Sequence, residues 1–361
     1  MSNTDAHFEG WVGHDKSCIG NMKWEKFEPK QWRETDIEIK IECCGVCASD
    51  LHTARSGWGP TRYPCVVGHE IVGTVSRVGK ETKGFKIGDR VGVGAQSDSC
   101  KKCSACKDGL EPWCENGIVG TYNGDYSATD GSGYSMGGYA TYSRVPAHFA
   151  VHIPESLPSA VAAPLMCGGV TVYNPLKSNG CGTEGVKNVG VVGIGGLGHF
   201  ALIFAKALGA EKITAISHTH SKEELARKLG ATDFIASGDK DPYSAHKRSL
   251  DLLILTNMPI SDYLTLVRPR GKIVAVGVPE EPCQPTPLPG LAFSGVFLGG
   301  SLIGGPGIIA EMLELAAKQN LKPMIEERDM KDANQVVSDM DAGKPRFRYV
   351  MVNKDYTPVQ A

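Results

Sequence analysis

Four cysteines lie close together in the sequence and are spaced as metal ligands. Cys100, Cys103, Cys106 and Cys114 follow the pattern C-x2-C-x2-C-x7-C. Four thiolates at this spacing favour a closed tetrahedral zinc site, which leaves no position for a substrate. The alternative is four buried thiols without a metal, but the surrounding loop is rich in Lys, Asp and Ser and provides no core for them. We therefore predict a structural zinc ion here.

A second set of ligand types is spread along the chain. Cys47 and the triplet Gly68-His69-Glu70 come first, and Cys167 follows much later in an apolar, glycine-rich segment. Their spacing alone is a weak signal. A Cys/His/Cys set with a fourth position left open is nevertheless the ligand arrangement of a catalytic zinc site. Two zinc ions, one in a closed site and one in an open site, are the working hypothesis.

A glycine-rich stretch indicates a dinucleotide-binding site. Gly193, Gly195, Gly196, Leu197 and Gly198 follow a predicted strand and open a predicted helix, which is the context that the dinucleotide fingerprint requires. Glycine lets the backbone approach a pyrophosphate, and the helix N-terminus attracts its charge. Tight packing alone can also produce such a turn. The order of strand, helix and second strand favours a cofactor site.

The end of that second strand bears on the choice of cofactor. An NAD enzyme usually has an acid there, about 20 residues after the glycines, which binds the ribose hydroxyls. This chain has Ser217, followed by His218, His220 and Lys222. The local sequence lacks a carboxylate that would repel a 2′-phosphate and offers groups that can donate to one. NADP(H) is the predicted cofactor; a solvated helix start capped by Ser217 or Ser221 is the alternative.

The elements that position these residues predict an α/β protein with two domains. Short alternating runs from residue 36 to residue 150 predict a compact β-rich domain. From about residue 159, apolar strands alternate with helices, which predicts a parallel sheet covered on both faces. The domains are predicted at residues 1–158 and 159–320, with residues 321–361 returning to the first. Strands of the second domain are predicted at 186–195, 212–217, 233–236, 250–255, 272–278 and 296–303, and helices at 197–208, 221–229 and 307–320.

Size and charge exclude several classes of protein. A chain of 361 residues exceeds what one hydrophobic core usually supports. Its 38 basic and 40 acidic residues nearly balance, so nucleic-acid or acidic-lipid partners are not favoured. Residues 282–310 carry no charge, but their prolines and glycines would interrupt a membrane helix, and we predict a loop, one buried strand and a turn.

The N-terminal residues and the cysteines indicate a cytosolic protein. Residues 1–11 are polar and carry acids, so neither a secretory signal nor a transit peptide is predicted. The chain has 12 cysteines, which in a reducing compartment are better explained as metal ligands and buried thiols than as disulfides.

The motifs together resemble a known family. The segments are GVCASDLH at 45–52, GHE at 68–70 and AAPLMCGG at 162–169. With the cysteine quartet and the glycine fingerprint, they resemble the zinc-dependent medium-chain alcohol dehydrogenases, in particular the NADP-dependent branch similar to cinnamyl alcohol dehydrogenase and its fungal relatives. The likeness runs over nearly the whole chain. It implies a GroES-like β domain, a Rossmann domain, a substrate cleft between them, and a homodimer joined at the edge strand 296–303.

The resemblance also implies the roles of the open site. Cys47, His69 and Cys167 would hold the catalytic zinc, with the substrate oxygen at the fourth position. Glu70 would orient the site or enter the metal shell transiently; the alternative is an outer carboxylate that never touches zinc.

Further roles follow from the same resemblance. Ser49 would pass the proton from the bound alcohol to His52, although Ser49 as a helix cap is a second interpretation. The acid that plant-type members carry further along this relay is absent, because the chain has RSGW at 55–58. Trp58 and Trp113 are candidates for the substrate pocket, with core packing the alternative for Trp113. The residues that match cofactor-contacting loops are Thr171, Val278 and Ser301.

The predicted function is therefore a cytosolic, two-zinc, NADP(H)-dependent alcohol dehydrogenase that reduces aromatic or medium-chain aldehydes to primary alcohols. One rival is a specialised reductase of iminium or conjugated double bonds. Another is a zinc-stabilised NADP(H)-binding protein without turnover, such as a redox sensor. The complete ligand set and the relay hydroxyl argue against both.

Overall fold

The computed structural model describes residues 6–129, 131–257, 260–281 and 288–360. The chain forms two compact units, Met1–Cys167 with Gly304–Ala361, and Gly168–Ile303. In the described part of the chain the strands are β1 (Glu9–Gly13), β2 (Lys23–Lys26), β3 (Asp36–Gly45), β4 (Cys65–Val66), β5 (Glu70–Val78), β6 (Arg90–Val93), β7 (Gln96–Asp98), β8 (Val119–Gly120), β9 (Tyr142–Pro146), β10 (Ala150–His152), β11 (Asn188–Val192), β12 (Lys212–Ser217), β13 (Asp233–Ala236), β14 (Leu250–Leu255), β15 (Val267–Ala275), β16 (Phe297–Gly300), β17 (Ile325–Asp329) and β18 (Arg348–Val352). The α-helices there are α1 (Ala48–Ala54), α2 (Ser104–Lys107), α3 (Ser159–Pro164), α4 (Val170–Ser178), α5 (Gly198–Ala207), α6 (Glu223–Lys228), α7 (Leu288–Ser294), α8 (Pro306–Lys318) and α9 (Ala333–Asp341).

The first unit is built on an antiparallel sheet. Its strands follow the order β10-β6-β5-β3-β18-β17, with β9 also paired to β3, and only β17 and β18 run parallel. Ile37, Ile39 and Ile41 alternate along β3 and are fully buried, as the period of two in a strand requires. They pack in one core with Val336 of α9 and Met351 of β18.

The second unit is a parallel sheet in the order β13-β12-β11-β14-β15-β16. Val189, Val191 and Val192 of β11 are all buried, because a central parallel strand is covered on both faces. The strand order changes direction at β11. The loops that follow β11 and β14 therefore lead to opposite sides at the carboxyl edge of the sheet, and doubly wound parallel sheets bind ligands there. The predicted fold class, a β-rich domain plus a doubly wound parallel sheet, is confirmed.

The unit boundaries differ from the predicted domain boundaries. Helix α3, whose residues the sequence prediction assigned to the second domain, packs on β3 and β5 of the first unit. Helix α8 contacts β10 of the first unit. The C-terminal return therefore begins at Gly304, earlier than the sequence prediction placed it, because helical periodicity does not reveal which sheet a helix covers.

Several predicted elements of the second unit needed correction. Strand β11 is shorter than residues 186–195, and β15 ends at Ala275 rather than at Val278. The uncharged segment contains helix α7, with Pro289 in its first turn, where proline is tolerated. Strand β16 is not buried as predicted, since Phe297 is 62 % exposed. Residues 282–287 lie outside the described residues, and none of the described helices is both long and apolar enough to span a membrane.

Candidate active site

Cys47, His69, Glu70 and Cys167 come together in one buried cluster in the first unit. Their ligand atoms all lie within 4.8 Å of one another, and the Sγ atoms of Cys47 and Cys167 are 4.0 Å apart. Two sulfurs bound to one tetrahedral zinc at about 2.3 Å lie about 3.8 Å apart. Nε2 of His69 is buried and makes no hydrogen bond to the described residues. A metal ion would satisfy this nitrogen, so the cluster fits zinc.

Strand pairing brings the first two ligand segments together. Gly45, at the end of β3, is paired with Glu70, at the start of β5. Cys47 follows β3 directly and precedes α1, so it lies beside His69. The helix begins at Ala48 with Cys47 in the cap position, and Ser49 is therefore not the cap.

A π-helical segment supplies the third ligand. Cys167 lies in the stretch Leu165–Gly169, which follows α3 and is π-helical. Pro164 immediately precedes it and has no N–H to continue the regular hydrogen-bond ladder. Short π-helical turns are rare and occur frequently at functional sites.

A buried carboxylate that the sequence analysis missed joins two ligand segments. Asp50 accepts hydrogen bonds from the backbone N–H of Cys47 at 2.8 Å, from the N–H of Gly68 at 3.2 Å and from the Tyr139 hydroxyl at 2.7 Å. Burial alone lowers the pKa of His69, but the charges of Asp50 and Cys47 raise it to about 9. A metal-bound imidazole must be neutral, so metal binding would displace this proton.

Glu70 forms a buried ion pair with Nη2 of Arg348, from β18. Its other oxygen, Oε2, is buried without a hydrogen bond to the described residues. A Cβ at Gly45 would lie 1.9 Å from this oxygen, so only glycine leaves room for the carboxylate. Burial raises the pKa of Glu70 to about 7 although Arg348 opposes the shift. Arg348 was not predicted, because nothing local in its sequence points to the site.

Tyr122 is a second residue that the sequence analysis missed. Its ring stacks on the His69 ring with a centroid distance of 5.2 Å and an interplanar angle of 8°. Its hydroxyl is buried and makes no hydrogen bond to the described residues. Burial raises the pKa of Tyr122, and Asp50 and Cys47 raise it further. No motif in the sequence identifies this tyrosine.

The predicted relay residues lie on helix α1. The Ser49 Oγ is 3.5 Å from the Cys47 Sγ. Nδ1 of His52 lies 3.4 Å from Nη2 of Arg55, and Nη1 of Arg55 donates to Asp341 at 2.7 Å. The Arg55 side chain therefore lies beside the imidazole.

The two predicted pocket tryptophans are both partly exposed. Trp58 is 45 % exposed, and its ring lies 4.5 Å from the His52 ring. Trp113 is 44 % exposed in the short 3-10 helix Glu111–Trp113. The core-packing interpretation of Trp113 is therefore wrong.

The cysteine quartet forms a second cluster in the first unit. Cys100 and Cys106 are 3.9 Å apart at sulfur, and Cys103 and Cys114 are 4.0 Å apart. The backbone N–H groups of Lys102 and Cys103 donate to the Cys100 sulfur. The Lys102 hydrogen bond is the main cause that lowers the pKa of Cys100 to about 6, which favours a thiolate ligand. The spacing again fits tetrahedral zinc.

The glycine fingerprint lies in the second unit, between β11 and α5. Gly193 has a φ of +82°, which favours glycine. A Cβ at Gly198 would lie 1.8 Å from the Gly193 carbonyl oxygen, whereas a Cβ at Gly195 would meet nothing within 4 Å. The loop therefore combines a tight turn, close helix packing and an open backbone face, which are the three roles of fingerprint glycines. These features fit a dinucleotide.

The predicted cofactor residues of this unit divide into two groups. Ser217 ends β12, and Val278 and Ser301 follow the carboxyl ends of β15 and β16, at the edge where the fingerprint lies. Nζ of Lys222 donates to the Ile194 carbonyl in the fingerprint at 2.8 Å. Thr171 is instead buried within α4.

One sequence inference about the ribose end needed correction. The local sequence suggested a pocket without carboxylates. In the structure, Glu223 and Asp239 lie on either side of His220, and His220 follows Ser217 by three residues in the chain. Asp239 was missed because it belongs to the turn after β13, which becomes a neighbour only when β13 pairs with β12.

Comparisons with known proteins agree with this architecture. Residues 33–155 match the alcohol dehydrogenase GroES-like domain, and residues 196–318 match the zinc-binding dehydrogenase family. The chain is 40% identical to 8-hydroxygeraniol dehydrogenase from Catharanthus roseus over 95% of this chain and 94% of that one. It is 39% identical to NADP-dependent alcohol dehydrogenase 6 from Saccharomyces cerevisiae, over 96% and 97%. The solved structure of a cinnamyl alcohol dehydrogenase from Sorghum bicolor superposes with a TM-score of 0.89 at 35% identity, covering 99% of this chain and 100% of that one.

The chain therefore belongs to the zinc-binding alcohol dehydrogenases, a family of oxidoreductases. The family resemblance inferred from the motifs is confirmed.

Proposed function

We propose that this protein is an NADP(H)-dependent alcohol dehydrogenase that interconverts aldehydes and primary alcohols of aromatic or medium-chain type. The observation that carries the proposal is the buried cluster of Cys47, His69 and Cys167, whose ligand atoms lie within 4.8 Å of one another. Relatives named as an 8-hydroxygeraniol dehydrogenase and an NADP-dependent alcohol dehydrogenase support the substrate class and the cofactor.

Cys47, His69 and Cys167 would hold the catalytic zinc. When bound, the metal supplies a Lewis acid that polarises a carbonyl and stabilises the negative charge of an alkoxide. Asp50 holds the Cys47 and Gly68 segments in place through its hydrogen bonds. Glu70, which is paired with Arg348, would either enter the metal shell or remain an outer carboxylate.

Ser49 and His52 would carry the proton. The Ser49 hydroxyl can donate and accept at once, which is what a relay requires. The His52 imidazole would be the next group in the relay. Arg55 contacts Nδ1 of His52 as a donor.

The second unit would bind the cofactor. The backbone of Gly193, Gly195, Gly196, Leu197 and Gly198 would approach the pyrophosphate. The residues proposed to contact the rest of NADP(H) are Ser217, His218 and Lys222 at the 2′-phosphate, and Thr171, Val278 and Ser301 elsewhere.

Three further features belong to the same proposal. Cys100, Cys103, Cys106 and Cys114 would hold a second, structural zinc ion. Trp58 and Trp113 would contact the substrate. The protein would be a cytosolic homodimer, joined through β16, which is the last strand of its sheet among the described residues and carries the exposed Phe297.

One assay tests the proposal. NADPH oxidation is followed with cinnamaldehyde, benzaldehyde and hexanal, before and after chelation, with NADH as the control cofactor. We expect turnover with NADPH that chelation removes and zinc restores. Turnover that survives complete loss of zinc, or the absence of turnover with all three aldehydes in zinc-replete protein, would contradict it.

A further inference from the structure

His220 lies close in the chain to Ser217 and His218, the residues of the proposed 2′-phosphate site. His220 lies in the short 3-10 helix His220–Lys222 that follows β12. Its Nδ1 is 2.8 Å from Oε2 of Glu223, and its Nε2 is 3.0 Å from Oδ2 of Asp239. Ionised carboxylates only accept hydrogen bonds, so both ring nitrogens must donate. The geometry is that of an imidazolium cation between two anions.

Strand pairing fixes Asp239 close to the ribose end of the site. The Ser237 N–H donates to the Ser217 carbonyl at 2.8 Å, and the Gly238 N–H donates to the His218 carbonyl at 2.9 Å. The turn that carries Asp239 is therefore attached to the two residues proposed to meet the 2′-phosphate. A free carboxylate there would repel a dianionic phosphate.

The two carboxylates depend on His220 to different degrees. Glu223 also pairs with Arg227, whose Nη2 lies 2.7 Å from Oε1, so it stays compensated without the histidine. Among the described residues, the Asp239 carboxylate pairs with His220. On its remaining side the imidazole contacts the uncharged Phe234 ring, at 5.8 Å between centroids.

We propose that His220 determines cofactor specificity by masking the charge of Asp239, whose carboxylate would otherwise repel the 2′-phosphate of NADP(H). The inference rests on the cofactor assignment in the proposed function. His220 is a positioning and charge-compensating residue, and it need not touch the phosphate.

The proposal also predicts a pH dependence. The Glu223 and Asp239 hydrogen bonds raise the pKa of His220 above its usual value. Among the described residues, the charged groups in contact with the ring are Glu223 and Asp239, and Arg227 lies behind Glu223. As pH rises through the raised pKa, the neutral ring keeps one N–H, and one carboxylate loses its donor. Preference for NADP+ over NAD+ should therefore fall as pH rises through this raised pKa.

A double-mutant cycle tests the masking. Dissociation constants for NADP+ and NAD+ are measured by calorimetry on wild-type protein and the H220A, D239N and H220A/D239N variants. We expect H220A to weaken NADP+ binding about three- to tenfold, the scale of one added charge near a solvated phosphate. NAD+ binding should change less than twofold, and the double variant should recover the wild-type affinity for NADP+ within about twofold.

An H220K variant supplies the matched control for charge. Lysine stays cationic up to about pH 10, so H220K should bind NADP+ equally at about pH 7 and about pH 9, whereas the wild-type protein should bind it more weakly at the higher pH. The phosphate is almost fully dianionic across this range.

The outcomes separate the two proposals. If H220A keeps its NADP+ affinity, or the double variant stays as weak as H220A, the masking is wrong while the proposed function stands. If the wild-type protein binds NAD+ as tightly as NADP+, the cofactor assignment fails and the masking fails with it.

Discussion

The two candidate metal centres of this protein differ in how the chain brings their ligand residues together. All four sulfurs of the quartet come from residues 100–114, and three of these cysteines are partly exposed. Cys47, His69 and Cys167 come from three distant segments and are buried. A local loop can therefore hold a metal with little help from the fold, whereas the buried centre depends on the pairing of β3 with β5 and on a π-helical turn.

The residues that surround the two centres also differ. The quartet is stabilised by neighbouring backbone N–H groups. The buried centre is surrounded by Asp50, Glu70 and Arg348, and a buried charge is costly unless it is paired. Damage to the buried centre should therefore reduce catalysis and stability more than damage to the quartet.

The largest effect is expected at the open centre. Cys167→Ser should lower kcat/KM for aldehyde reduction by at least about 10³-fold, because Lewis-acid stabilisation is worth several kcal/mol. Metal analysis should show that the quartet keeps its zinc. A variant that loses both zinc ions would contradict the independence of the two centres.

The next largest effect is expected at the buried ion pair. Arg348→Met leaves the Glu70 carboxylate buried without its partner, which should lower the free energy of unfolding by about 3–5 kcal/mol. Denaturant unfolding measures this change. The matched control is the double variant with Glu70→Gln, which should recover at least half of the loss; an equal loss in both variants would show that the pair is not the cause.

A smaller effect is expected at the quartet. Cys103→Ser should lower Tm by about 5 °C, because the loop that carries the quartet is partly exposed and contributes little to a hydrophobic core. Thermal unfolding monitored by circular dichroism gives Tm, and zinc content should fall by one ion per chain. If Cys103→Ser protein stayed folded but lost as much activity as Cys167→Ser, the distinction between a structural and a catalytic site would fail.

The smallest effect separates two roles of Tyr122. Tyr122→Leu removes the stacking on His69 and should weaken zinc retention at the open centre about tenfold, as the loss of an orienting neighbour does. Tyr122→Phe keeps the ring and should retain zinc at the wild-type level. Zinc release to a chromophoric chelator measures both, and equal release rates would exclude a role for the stacking.

Local patterns explain which features could be predicted from the sequence. The spacing of the quartet and the glycines of residues 193–198 are short-range properties, so both clusters were found. Strand β12 was predicted with its observed bounds, because apolar strands between helices are clearly delimited. The sequence did not predict helix α7, because its proline and glycine residues usually interrupt a helix, whereas Pro289 lies in the first turn, where proline is tolerated.

The sequence by itself determined the ligand types, the fingerprint and the alternation of strands and helices, because these depend on residues near one another in the chain. The tertiary structure decided which distant side chains share one environment. The Glu70–Arg348 pair, the stacking of Tyr122 on His69 and the His220–Asp239 contact all depend on which elements become neighbours. Strand order and packing are set by the burial of whole faces, and no local spacing encodes them.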